Sequence, residues 1–153
     1  MTDTKHNSKQ ALVAGLNGLL ADYLALYLKT KNFHWHVAGP RFRDLHLLFD
    51  EQAVQLIGVV DLIGERVRKN GAATLTSIGS VAAHTQIADQ DDAALSAEKM
   101  VEELRRDNEA LVKRLRAVKE LAGDAGDNAT DGMLDDWTDQ AEERVWFLTQ
   151  TAA

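Results

Sequence analysis

Five side chains in this sequence are spaced as metal ligands would be: His34, His46, Asp50, Asp61 and Glu65. Imidazole nitrogen combined with carboxylate oxygen suits iron, manganese or zinc. His46 and Asp50 are four residues apart, and so are Asp61 and Glu65; on a helix each pair shares a face. At about 100° per residue, all four fall within an arc of roughly 100°. Asp50 and Asp61, however, stand roughly 16 Å apart along a helix axis, while metal–ligand bonds are about 2 Å long. No single ion touches both ends, so one chain offers two half-sites. The same helix from a second subunit, packed antiparallel and crossing near Gln55, would bring Asp61 and Glu65 of one chain to His46 and Asp50 of the other. A two-fold axis would do this twice per pair. His34, ahead of a Gly39-Pro40 break, is placed to fold back beside His46.

A site wholly inside one helical bundle is not supported. Di-iron bundles place a Glu-x-x-His pair on each of two helices. The residues three before the histidines here are Asp3, Lys31, Phe33, Arg43 and Val81.

Long helices must position these groups. Apolar residues at Leu12, Leu16, Leu19, Leu20, Tyr23, Leu24, Tyr27 and Leu28 recur in steps of three and four, predicting a helix from about Ser8 to His36. Residues 1–7 read as a short polar tail, and 8–153 as one bundle domain. Pro40 suits the start of a second helix, which should run to about Asn70, where Asn70-Gly71 is a stop; its apolar face includes Phe42, Leu45, Phe49, Ala53, Leu56, Val60, Ile63 and Val67. Residues 71–95 are a long connection, with a short helix expected over Thr76–Ala83. Ser96 can cap a third helix reaching about Ala122, with Gly123 as its stop. A fourth starts between Gly126 and Thr130 and ends near Gln150, with Met133, Leu134, Trp137, Ala141, Val145 and Leu148 inward. The expected fold is an all-α four-helix bundle with a crossover between its second and third long helices.

Composition narrows the function. The 153 residues suffice for one domain with a real core. With no cysteine there is no disulfide, thiolate site or thiol nucleophile. The polar start MTDTKHNSKQ has no apolar core region, and no run of about 18 apolar residues is present, so neither a signal peptide nor a membrane span is expected. That leaves the cytoplasm as the expected location. A net charge of −7 disfavours phosphate backbones and favours cations.

The stretch resembles the Dps family, the DNA-binding proteins from starved cells or miniferritins, within the ferritin-like superfamily. Phe33 to Phe42 reads F-H-W-H-V-x-G-P-x-F, Leu48 to Gln52 reads LFDEQ, and the five ligands stand at the family's spacing. Similarity extends to Ser77-Ile78-Gly79, to Leu104-Arg105 with Asp107-Asn108, and to Trp146-Phe147. The resemblance implies a dodecameric shell around a cavity. It further implies ferroxidase centres at two-fold interfaces, built from His34, His46 and Asp50 of one chain with Asp61 and Glu65 of the next, and Trp35 beside them. Such an oxidoreductase takes Fe(II), commonly with hydrogen peroxide or else oxygen, stores ferric mineral and protects against oxidative stress; zinc or manganese can substitute at such ligands.

The family's second activity, DNA binding and nucleoid compaction, is the runner-up reading. Relatives use a basic tail, which here offers only Lys5 and Lys9. Twelve copies at −7 each carry −84, which argues against strong DNA binding. The resemblance also implies acidic pores, for which Asp127 and Asp131 are the candidates. His36 points away from His34 and is not counted as a ligand; His6 and His84 read as surface residues.

Overall fold

The computed structural model describes residues 2–153. It contains five helices in the order α1 (Thr2–His36), α2 (Phe42–Lys69), α3 (Ile78–His84), α4 (Ala97–Asp124) and α5 (Asn128–Ala152), with no strand among the described residues. The architecture is the expected four-helix bundle with a short helix in the crossover. Its halves are the pairs α1/α2 and α4/α5, joined chiefly through α1 and α4.

Periodic leucines explain most of the packing. Leu12, Leu16, Leu19, Tyr23 and Leu26 of α1 meet Leu45, Phe49, Leu56 and Ile63 of α2, and Leu104, Leu111, Leu115, Leu134 and Leu148 of α4 and α5, in one buried cluster. By length and composition α1 could cross a membrane, its most apolar window having a mean hydropathy of 1.5, which corrects the expectation that no such segment exists. Those apolar residues are what the bundle core buries. Gly15 allows a close crossing of α1 and α4: a Cβ there would lie 3.1 Å from Val118 and Leu121 side-chain carbons.

The boundaries differ from periodicity in informative ways. Helix α1 starts at Thr2 rather than Ser8, so residues 3–7 of the polar segment continue the helix as exposed turns, Met1 lying outside the described residues. Gly123 stays helical, and α4 ends at Asp124, just before Gly126, whose φ of +69° favours glycine. Ser96 caps α4 through Lys99 N, and Asp127 caps α5 through Thr130 N. Leu28 is 60% exposed and Phe42 45% exposed, so neither belongs to the core. Of the two late tryptophans, Trp137 is in the core and Trp146 lies exposed, edge-on to Phe147.

The long crossover is tied down by polar residues of α1. Buried Asp22 accepts hydrogen bonds from Thr85 Oγ1 (2.9 Å), Gln86 N (2.8 Å) and Arg114 Nε (2.7 Å). Seven residues on, Lys29 donates to the Ala88 carbonyl at 2.9 Å and pairs with Asp107 at 2.9 Å and Glu103 at 3.3 Å. Asn32 donates to the Gln90 carbonyl at 3.0 Å. These bonds satisfy backbone groups that an irregular segment would otherwise leave open.

Candidate metal centre

The turn 37–41 reverses the chain so that the end of α1 lies against the start of α2. His34 and His46 meet there with rings stacked, centroids 3.8 Å apart. His34 Nδ1 donates to the His46 carbonyl at 2.6 Å, and His46 Nδ1 donates to the His34 carbonyl at 2.7 Å. A carbonyl only accepts, so each Nδ1 carries a proton, and in the neutral ring the lone pair is then on Nε2. This is the tautomer a metal ligand needs, held by the kind of second hydrogen bond that orients ligating histidines. His34 Nε2 lies 3.9 Å from Asp50 Oδ1. Phe42, missing from the core, stacks on His46 with centroids 5.1 Å apart and closes the other side of the ring.

Lys31, which the ligand spacing did not single out, sits one turn before His34 and places Nζ 2.6 Å from Asp50 Oδ1. That hydrogen bond, with the lysine charge and lesser contributions from His34 and His46, holds the Asp50 carboxyl below the usual range against some desolvation. Asp50 is thus ionised and already has a cation beside it. A metal ion must displace the ammonium to use this oxygen. Lys31→Met is therefore expected to tighten binding of the first Co(II) or Fe(II) roughly two- to fivefold, the worth of a half-exposed ion pair, as measured by titration calorimetry.

Asp61 and Glu65 are exposed on the same helix. Among the described residues, no group of three His, Cys, Asp or Glu side chains within the chain could hold a metal ion. The histidine pair with Asp50 and the Asp61/Glu65 pair therefore stand apart on the subunit. Between them α2 shows Val54, 61% exposed, and Ile57, 40% exposed, on the ligand-bearing face. Trp35, also exposed, follows His34 directly in the chain. Exposed large apolar groups gathered on one face are a feature of interaction surfaces.

The remaining candidates are engaged elsewhere. His36 Nδ1 is 2.8 Å from the Asn32 carbonyl, a local contact on the exposed side. His6 and His84 are exposed and contact Gln10 and the Ser80 carbonyl within their own helices. Asp127 receives Arg66 Nη2 at 2.8 Å and Asn70 Nδ2 at 3.0 Å besides capping α5. Asp131 pairs with Lys119, which Asp135 shares. Both carboxylates are thus paired within the subunit.

Residues 13–153 match the ferritin-like domain family. The chain is 33% identical over 144 residues to the "DNA protection during starvation protein" of Brevibacillus brevis, covering 94% of this chain and 96% of that one. The chain belongs to the Dps family of the ferritin-like superfamily. Solved Dps structures agree. That of Bacillus brevis superposes with a TM-score of 0.92 at 31% identity, covering 96% of this chain and 98% of that one. The Vibrio cholerae Dps protein, described as one of the ferritin-like diiron-carboxylate proteins, superposes with a TM-score of 0.90 at 28% identity, covering 96% and 92%.

Proposed function

We propose that this protein is a ferroxidase and iron store. Its Fe(II) substrate binds between two antiparallel copies of α2, held by His34, His46 and Asp50 of one subunit and Asp61 and Glu65 of the next. The carrying observation is the pair of stacked histidines beside Asp50 whose Nδ1 atoms are reciprocally bonded to backbone, which in the neutral rings leaves Nε2 as the donor atom, at the start of a helix that also exposes Val54 and Ile57. The donor set fits iron, and manganese or zinc as substitutes.

Each group has a distinct task. The histidines supply neutral nitrogen ligands fixed in orientation. The three carboxylates compensate the charge of the ion and favour the higher oxidation state, because negative ligands stabilise Fe(III) over Fe(II). Hydrogen peroxide, as two-electron acceptor, takes one electron from each of two Fe(II) ions and leaves as two hydroxides, so no hydroxyl radical is released. The Fe(III) product passes to a mineral inside a dodecameric shell in the cytoplasm. Protection of DNA by this chemistry requires no DNA contact, which fits the −7 net charge.

The direct test is ferric absorbance after mixing the assembled protein with Fe(II) and peroxide under anaerobic conditions. Wild type is expected to consume two Fe(II) per peroxide. His46→Ala with Asp50→Ala is expected to fall to the rate of iron in buffer alone. An unchanged rate in that double variant would remove the assignment.

A further inference from the structure

The bundle interior, where related folds build a metal site, holds a buried arginine instead. Arg144 of α5 is 1% exposed. Its Nε donates to Asn108 Oδ1 of α4 at 2.8 Å, and its Nη1 to Gln55 Oε1 of α2 and Gln140 Oε1 of α5, both at 3.3 Å. Gln52 of α2 donates back to the Arg144 carbonyl at 3.4 Å. The Tyr23 hydroxyl of α1 faces the guanidinium without meeting hydrogen-bond geometry. All four long helices thus send a polar group to one buried centre, the layout bundles use for metal ions.

The chemistry of that centre is cationic and unbalanced. Every acceptor that the guanidinium reaches is a neutral amide oxygen, and no carboxylate is hydrogen-bonded to it. Three buried polar atoms here, Arg144 Nη2, Gln52 Oε1 and Tyr23 Oη, have no partner. Desolvation pushes the arginine below its ordinary value, opposed by the Tyr23 and Glu143 contributions. A buried charge with only neutral partners is costly and calls for a reason beyond packing.

We infer that Arg144 is a resident cation that takes the place of a metal ion inside the bundle and closes the subunit interior to iron. Its guanidinium takes up oxygens that would otherwise face a vacated cavity, and its charge repels a second cation. Iron is thereby left with the subunit surface. This inference stands apart from the interface ferroxidase reading, and its test removes the interface ligands.

In a background carrying His46→Ala, Asp50→Ala, Asp61→Ala and Glu65→Ala, Mn(II) binding is counted by loss of the free-ion EPR signal. Mn(II) is the probe because an oxygen-only donor set suits it. Arg144→Glu, which puts a carboxylate among the amides and the phenol, is expected to gain about one Mn(II) per chain, at least about tenfold tighter than any site in the parent. Arg144→Lys keeps the charge and is expected to gain none. A folded Arg144→Glu protein with no gain over the parent, or an equal gain in Arg144→Lys, overturns the inference. If Arg144→Glu does not fold in metal-free buffer, refolding it with Mn(II) decides: recovery of the fold with about one Mn(II) per chain is expected, and a protein that stays unfolded with Mn(II) present overturns the inference.

Discussion

Replacing Val54 and Ile57 together by glutamate is expected to stop iron oxidation with all five ligands still in place. Both side chains are exposed in the subunit, at 61% and 40%, so the change removes little from the core, and subunit stability should shift by no more than about 0.5 kcal/mol. On the ligand face, however, they lie between the two half-sites, where a second α2 would cross. Four added glutamates per pair would then face one another across a two-fold axis. Repulsion and the cost of burying unpaired charge would prevent pairing. Asp50 and Asp61, roughly 16 Å apart on one helix, cannot cooperate without a partner. Light scattering should report a monomer, circular dichroism an intact bundle, and stopped-flow absorbance a rate equal to that of iron in buffer. Oxidation at the wild-type rate by a monomeric variant would sink the shared-site reading.

The second large effect concerns stability. Asp127→Ala removes the N-cap of α5 and leaves Arg66 without its carboxylate, though both side chains are mostly buried, at 11% and 14% exposure. Loss of a cap costs about 1 kcal/mol, and stranding a charge costs more, so about 2–4 kcal/mol is expected in all. Burial alone would raise the Asp127 carboxyl; hydrogen bonds from Asn70, from the Thr130 side chain and backbone, and from Arg66 outweigh it and hold the group well below the usual carboxylate range. A depressed folded value stabilises the fold above the unfolded value, near 3.9. That contribution declines as pH falls below it, by up to about 1.4 kcal/mol per unit. Urea unfolding at fixed protein concentration should therefore show the gap between wild type and Asp127→Ala at pH 7 and a narrower gap near pH 3. A gap that widens on acidification would contradict this assignment.

The helices were legible because the leucines of α1 and α4 keep a period near 3.6 over several turns, and burial in a bundle enforces that period. The same rule misplaced Leu28 and Phe42, which continue the apolar pattern although each faces out of the core; Phe42 covers a ligand ring instead. Gly123 read as a stop because glycine is a poor helix former, yet only Gly126 adopts a positive φ at the end of α4. The five candidate ligands stood out because His34 through Glu65 is nearly continuous in sequence and lies on two neighbouring helices. Lys31 was within reach of the same reasoning, three residues before His34 and so on its face. The Arg144 centre was not: Tyr23, Gln52, Asn108 and Arg144 are scattered along the chain, and only packing brings them together. Asp127 and Asp131 looked like a row of free acids until Arg66 and Lys119, distant in sequence, were seen to engage them.

The central claim is that each iron site is divided between two chains, and subunit mixing tests it most directly. His46→Ala/Asp50→Ala lacks one half-site, and Asp61→Ala/Glu65→Ala lacks the other, so each shell alone should be inactive. Co-expressed in equal amounts, half of the two-fold pairs would contain one chain of each kind. In such a pair one site loses all four ligands, and the other recovers all of them. The mixed shell should therefore oxidise Fe(II) with peroxide at about one quarter of the wild-type rate. A mixed shell as inactive as its two parents would mean that the four residues act within one chain, and the shared site would be wrong.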